Sequence, residues 1–197
     1  TTGKATITFD ATKATYTGGA GVDAVTTSAV APTKAISLGA GDDSLTLASG
    51  TTAVTGAISG GDGTDTLVMV AADIVTADND LAFSSLVTGF ETLYVALSTG
   101  GQNINLTNMG QTSSVIVGAS AGAGVVTLTN LASGGIVTQV GTHASGVTVS
   151  NALFGAVGAT TDSVNLVMAA AAGFDGGTFT AANVETINLN ATDTSTA

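Results

Sequence analysis

The turn Gly18-Gly19-Ala20-Gly21-Val22-Asp23 returns twice with small changes, as Leu38-Gly39-Ala40-Gly41-Asp42-Asp43 and as Gly60-Gly61-Asp62-Gly63-Thr64-Asp65. The final aspartates of the three turns stand 20 and 22 positions apart. A glycine–aspartate turn that recurs at such an interval is typical of a chain that stacks coil upon coil. The pattern predicts carboxylates and exposed carbonyls aligned in a column, where calcium can bind.

The segments between the turns read as strands. Apolar residues occupy matching places before and after each turn: Tyr16, Ile36, Ile58, Val25, Leu45 and Leu67. Each unit therefore reads as strand, turn, strand and second turn, which means two parallel sheets facing each other. We predict an all-β chain folded as a right-handed parallel β-solenoid (β-roll or β-helix) with rungs of about 20 residues.

The second half of the chain keeps this rhythm without the acidic turns. Apolar strand candidates lie about ten residues apart, and breaks that contain Gly or Asn separate them. Their centres are Leu106, Ile116, Val126, Val137 and Val147. We interpret these segments as further rungs that bind no metal.

A longer duplication spans both halves. The stretch 64–69 resembles 161–168, and an Ala-rich segment that predicts a short helix or loop follows each. Each copy then reaches a Glu-Thr-apolar motif, at Glu91 and at Glu185. We predict a calcium-binding module over 1–97 and a continuation of the solenoid, with a decayed second copy, over 98–197.

The charge distribution is strongly one-sided. The net charge is −11, Arg is absent, and Lys4, Lys13 and Lys34 are the only lysines, so residues 35–197 carry twelve acids and no Lys or Arg. This balance excludes recognition of a nucleic-acid backbone and favours cations as partners. The chain has no Cys, which removes disulfides from consideration. It also has no apolar run of the ~20 residues that a membrane span requires, so no membrane insertion is expected.

The three turn aspartates, Asp23, Asp43 and Asp65, are the predicted calcium ligands, with two neighbouring rungs sharing each ion. Glycine lets the chain adopt positive φ and point carbonyl oxygens inward to complete the shell. The glycines expected to do so are Gly19, Gly21, Gly39, Gly41, Gly61 and Gly63. The alternative is a set of plain Asx turns on a solenoid.

Other acidic residues remain open to two interpretations. Asp42 and Asp62 are either extra calcium ligands or solvated surface charges. Asp78 and Asp80 form either a separate calcium site or a hydrophilic loop. Glu91, with Glu185 as its equivalent, either binds metal or accepts backbone N–H groups, because a buried carboxylate needs a partner.

Two further residues are not expected to form sites. Asp162 occupies the place of Asp65 in the second copy, but no Gly-x-Gly pattern precedes it, so we do not expect it to bind calcium. His143 is the only histidine of a chain without Cys, which argues against zinc and against catalysis.

The three Gly-Asp turns resemble the Gly-Gly-x-Gly-x-Asp-x-apolar nonapeptide of RTX proteins, which bacteria export by type I secretion. The Ala/Thr/Gly/Val-rich, acidic, Cys-free composition and the Glu-Thr-apolar closures are similar to those of RTX-type surface-layer (S-layer) proteins. This resemblance implies an extracellular, calcium-dependent protein of the bacterial cell surface. The chain departs from the family pattern in the spacing of its motifs and in carrying the motif on only one side of each rung.

The leading hypothesis is a structural module of a bacterial surface layer that self-associates into a lattice or filament and is rigidified by calcium. We read the chain as a fragment of a longer protein, with a possible cell-surface polysaccharide anchor outside it. The alternative is a repeat module of a large type I-secreted RTX adhesin. An enzyme on a β-helix is disfavoured because no Arg is present, and the carrier roll of a secreted protease or lipase would lack its catalytic part.

Overall fold

The computed structural model describes residues 3–51, 53–96, 101–109, 113–119, 124–143, 145–151, 161–170 and 175–193. Parallel strands stack as a β-solenoid with roughly 22 residues per turn. The predicted all-β solenoid is therefore confirmed, with a rung slightly longer than expected. Insertions lengthen some rungs, since 18 residues separate the paired Ile7 and Val25 but 26 separate the paired Leu67 and Leu93.

The odd-numbered strands form one continuous nine-stranded parallel sheet. They are β1 (Ala5–Phe9), β3 (Asp23–Thr27), β5 (Ser44–Thr46), β7 (Thr66–Val70), β9 (Thr92–Ala96), β11 (Ser114–Val117), β13 (Gly135–Gln139), β15 (Ser163–Ala170) and β17 (Thr186–Asp193).

The even-numbered strands form the opposite wall as two separate four-stranded parallel sheets. The first contains β2 (Tyr16–Thr17), β4 (Ile36–Ala40), β6 (Ile58–Asp62) and β8 (Val87–Thr88). The second contains β10 (Asn103–Asn105), β12 (Val126–Thr129), β14 (Val147–Ser150) and β16 (Phe179–Ala181). The wall is thus interrupted between β8 and β10, while the nine-stranded sheet passes this point without a break.

The core is built from columns of aliphatic side chains. Side chains alternate between the two faces of a strand, so a parallel register places one inward residue of each rung beside the next. The aliphatic residues that follow the turn aspartates, Val25, Leu45 and Leu67, lie in one such column and are at most 1% exposed. Leu93 and Val115 continue the column, both fully buried.

The helical segments lie where the chain leaves the regular rung. The Ala-rich stretch after Met69 forms α1 (Ala71–Ala77), and α2 (Leu81–Leu86) follows, so of the two possibilities, a short helix or a loop, the structure contains helices. The matching segment of the second copy falls largely on 171–174, outside the described residues. No helix in the described ranges has the length and apolar character to cross a membrane.

The strand predicted near Leu106 is present as β10, but it ends at Asn105, and a 3-10 helix spans Leu106–Met109. The Asn105 side chain accepts a hydrogen bond from the Thr107 backbone N–H at 3.2 Å, and such a local bond favours a turn over a continuing strand. The other four predicted centres lie in β11, β12, β13 and β14.

Candidate functional site

The glycine–aspartate turns stack at one edge of the solenoid, because each connects an even-numbered strand to the next odd-numbered one. The register places Asp23 beside Asp43, Asp43 beside Asp65, and Asp65 beside Glu91. We call these four residues the carboxylate column. The column includes the Glu91 rung as well as the three repeated turns. That rung falls outside the sequence repeat because the turn before Glu91 has only one glycine, Gly89.

One oxygen of each carboxylate in the column accepts a hydrogen bond from a backbone N–H of the preceding rung. The donors are Ala5, Asp23, Asp43 and Asp65, at 3.0, 2.7, 2.8 and 2.8 Å from Asp23 Oδ1, Asp43 Oδ1, Asp65 Oδ1 and Glu91 Oε2. Hydrogen bonds to an ionised acceptor are stronger than neutral ones. The column therefore links consecutive rungs at the edge of the nine-stranded sheet.

The second oxygens of the column differ from rung to rung. Asp23 Oδ2 accepts a hydrogen bond from the Tyr16 hydroxyl at 3.0 Å. Asp43 Oδ2 and Asp65 Oδ2 are buried and have no hydrogen-bond partner in the described part of the chain. Asp43 is 2% exposed and Asp65 is 0% exposed. A buried charged oxygen without a partner is costly, so these two atoms are the ones that fit a bound cation.

The electrostatics of the column point the same way. Burial raises the pKa of Asp43, and it raises the pKa of Asp65 to about 6, to which the neighbouring Asp43 and Glu91 carboxylates also contribute. Burial, together with the hydrogen bond to Asp23, raises the pKa of Tyr16 to about 12. Negative charge is therefore poorly compensated at Asp43 and Asp65 in the protein without metal.

Glycine is required in these turns because neighbouring rungs approach one another closely. Gly61 has a φ of +116°, and a Cβ there would collide with the Gly39 carbonyl oxygen. A Cβ at Gly60 would collide with the Gly89 carbonyl oxygen and would lie 2.7 Å from Asp65 Oδ2. Four of the predicted site glycines have positive φ, namely Gly39, Gly41, Gly61 and Gly63, whereas Gly19 and Gly21 do not.

Asp42 and Asp62 lie on the solvent side of the turns. Both are exposed, and Asp42 Oδ1 accepts a hydrogen bond from the Thr64 backbone N–H at 2.9 Å. Asp62 ends β6, and its backbone carbonyl accepts a hydrogen bond from the Gly41 N–H at 2.8 Å. Both residues thus lie next to the column, while their carboxylates stay in contact with water.

Asp78 and Asp80 lie at the opposite edge of the solenoid, on the connection from β7 to β8. Asp78 is buried and accepts hydrogen bonds from the Asn105 backbone N–H and the Asn79 side chain, both at 2.7 Å. Asp80 begins α2, where its side chain accepts a hydrogen bond from the Ala82 N–H at 2.9 Å. The structure does not bring these two carboxylates to the column, and a separate calcium site there stays a prediction.

The duplication has a counterpart in hydrogen bonding. Glu185 Oε2 accepts a hydrogen bond from the Asp162 N–H at 2.9 Å, as Glu91 Oε2 does from the Asp65 N–H. Of the two roles considered for the glutamates, the structure contains the bond to a backbone N–H. Asp162 is 8% exposed.

The burial or polar contacts of three residues, Tyr16, Asp73 and His143, were not predicted from the sequence. Tyr16 could have been noticed as the one aromatic residue at its repeat position. Asp73 lies buried on α1, where Oδ2 accepts hydrogen bonds from the Gly50 and Thr51 N–H groups at 2.7 and 3.2 Å. His143 is fully buried, burial lowers its pKa, and neither ring nitrogen has a partner among the described residues. No pattern in the sequence marks this burial of His143.

Within the described ranges no group of three or more His, Cys, Asp or Glu side chains is placed to hold a metal ion. A cation in the column would therefore take at most a pair of carboxylates, and backbone carbonyl oxygens would have to supply most of the six to eight oxygens that calcium prefers. Comparisons with protein-family models, curated proteins and solved structures found no match to this chain.

Proposed function

We propose that this chain is a structural, self-assembling module of a bacterial surface layer, rigidified by calcium bound between its stacked glycine–aspartate turns. The single observation that carries the proposal is the pair of buried oxygens, Asp43 Oδ2 and Asp65 Oδ2, that lack a partner among the described residues. A calcium ion bound by both residues compensates two carboxylates at once.

Calcium as the missing partner is supported because neither Asp43 nor Asp65 forms an ion pair with a lysine among the described residues. All three lysines lie within the first 34 residues, and Arg is absent. The one ion pair recorded among the described residues joins Lys13 to Asp10 at 3.1 Å on the loop after β1. Compensation of Asp43 and Asp65 therefore has to come from protons or from solution ions.

Calcium binding would contribute directly to folding stability, because the unfolded chain does not hold the turns together. At a free calcium concentration ten times the Kd of a site, binding at that site adds about 1.4 kcal/mol to the free energy of unfolding. The Gly39, Gly41, Gly61 and Gly63 turns would supply carbonyl oxygens, and bound calcium would fix the spacing of consecutive rungs.

The surface-layer part of the proposal rests on the resemblance to RTX proteins and on the placement of charge. The charged residues of the described chain lie in loops, turns, helices or at strand ends, so the middles of the strands are uncharged. Close approach between copies at a net charge of −11 is opposed by self-repulsion, which each bound calcium ion reduces by two charges. Secretion to the cell surface and association into a lattice follow as parts of the same proposal.

The proposal is tested by negative-stain microscopy of the chain in calcium, in chelator, and in NaCl at matched ionic strength. Ordered sheets or filaments are expected in calcium alone, and they should be lost in the double variant Asp43→Asn/Asp65→Asn. The exposed pair Asp42→Asn/Asp62→Asn removes the same charge and serves as the control. Isolated rods in calcium would contradict assembly and favour the RTX adhesin module instead.

A further inference from the structure

The outward face of the nine-stranded sheet carries no charged residue at the positions described. Side chains alternate along each strand, and the outward ones run in register from Thr8 on β1 to Asn190 on β17. Thr and Ser dominate the first rungs, and Asn occupies the last. We call this surface the flat face.

The centre of the flat face is apolar. Val68, Tyr94 and Ile116 follow one another in register on β7, β9 and β11. Thr138 comes next in that row, followed by Val167 on β15, while Ile136 on β13 lies in the adjacent row, beside Ser114. Ile136 is 40% exposed, and the other four aliphatic or aromatic residues are half-buried. We call these five aliphatic or aromatic residues the apolar patch.

In its described part, the opposite wall has no such apolar patch on β12, β14 and β16. Its outward residues on β12, β14 and β16 are the aligned Thr127, Thr148 and Thr180. Hydroxyl groups remain well hydrated, so burying this wall gains little, whereas burying the apolar patch removes aliphatic and aromatic surface from water.

We propose that the flat face binds the flat face of a second copy of this chain, with the apolar patches meeting at the centre of a two-fold dimer. The inference rests on the self-assembly part of the proposed function and is independent of calcium. The flat face suits this partner because it is a broad surface on which two chains of net charge −11 can meet without opposing carboxylates.

The size of the face agrees with a stable contact. Nine strands about 4.8 Å apart and about five residues long, at ~3.3 Å per residue, give roughly 600 Å² of projected area per copy. Two copies bury about 1,200 Å², at the lower end of the range for specific interfaces. Two such sheets would pack about 10 Å apart through interdigitating side chains.

The test is sedimentation equilibrium on the 197-residue chain. The wild type is expected to dimerise, and Ile116→Lys should weaken dimerisation at least about tenfold, because it places a charge in the buried centre of the interface. Thr148→Lys makes the same kind of change at a half-buried outward position of the opposite wall and should leave the dimer intact. Ile116→Thr copies its in-register neighbour Thr138 and guards against misfolding of the lysine variant, and it should weaken the dimer less strongly.

Two results would overturn the inference: a wild type that stays monomeric at high concentration, or a Thr148→Lys variant that dissociates as readily as Ile116→Lys. A polysaccharide-binding face would give the first of these results. The calcium-induced rise in melting temperature, measured on monomeric Ile116→Lys, separates the two proposals. A wild-type dimer with no calcium response supports the flat face and contradicts the calcium role, whereas a calcium-responsive monomer does the reverse.

Discussion

Replacing Asp65 by Asn should change the stability of the protein in opposite directions with and without calcium. Burial and neighbouring carboxylates raise the Asp65 pKa from 3.8 to about 6. Each pKa unit corresponds to ~1.36 kcal/mol, so the ionised side chain costs the metal-free fold up to about 3 kcal/mol at neutral pH. The Asn Oδ1 can still accept the Asp43 N–H, and the uncharged amide removes most of that cost.

We therefore expect metal-free Asp65→Asn to be more stable than the wild type by about 1.5 kcal/mol, because the amide NH₂ then lacks an acceptor and offsets part of the gain. This corresponds to a rise in melting temperature of roughly 3–6 °C for a chain of this size. In calcium the order should reverse, since the variant loses a charged ligand and with it the rise that calcium gives the wild type.

Circular dichroism melts in chelator and in 10-fold or greater excess of calcium over Kd would measure both effects. Asp62→Asn is the matched control, because it removes the same charge from an exposed carboxylate in the same turn. If metal-free Asp65→Asn melted below the wild type while Asp62→Asn did not, the Asp65 charge would have a compensating partner and the reasoning would fail.

Three further outcomes follow from the same column. Because the folded-state pKa of Asp65 is raised to about 6, the free energy of unfolding of the metal-free protein should fall as pH rises from about 4 to about 6 and stay lower above it. Urea unfolding measures this, and a rise in stability over that range would contradict the raised pKa of Asp65. Tyr16→Phe leaves Asp23 Oδ2 without its donor and should lower the free energy of unfolding by about 1–2 kcal/mol. The control Tyr94→Phe on the flat face should cost little, so equal losses would count against the hydrogen bond between Tyr16 and Asp23. Gly60→Ala forces a Cβ into the Gly89 carbonyl oxygen and should lower the free energy of unfolding, measured by chemical denaturation, by about 3 kcal/mol or more. Gly3→Ala, at a position with open space around it, is the control. A well-tolerated Gly60→Ala would mean that the rungs stack further apart.

The solenoid could be predicted because its cause is local and periodic. Each rung repeats a glycine turn and a buried aliphatic residue, and the interval between Val25, Leu45 and Leu67 leaves only a stacked parallel arrangement. The Ala-rich break in the period was predicted to hold a short helix or a loop, and the structure contains helices there. The 3-10 helix at Leu106–Met109 was not predicted, because the apolar pattern gives no information on local bonds such as the one that the Thr107 N–H donates to the Asn105 side chain.

The column itself was only partly predictable. Repetition identified Asp23, Asp43 and Asp65, and the duplication pointed to Glu91, but the pattern gives no information on which carboxylate oxygens find donors. The donors depend on how consecutive rungs are aligned. The Oδ1 atoms of Asp43 and Asp65 each accept the N–H of the aspartate one rung earlier, and the partner of each Oδ2 depends on the side chain that the even-numbered strand places opposite it. Only the β2 position opposite Asp23 holds a hydroxyl, that of Tyr16, while Ile36 and Ile58 occupy the matching places on β4 and β6.

The most direct test of the calcium role is diffraction from crystals grown in calcium, with data collected for anomalous scattering and repeated after exchange to terbium. We expect an anomalous peak between Asp43 and Asp65, with Asp43 Oδ2, Asp65 Oδ2 and turn carbonyl oxygens about 2.3–2.6 Å from the calcium ion. Density that shows both carboxylates with only their backbone N–H partners, and no peak at the column in saturating calcium, would contradict the calcium role.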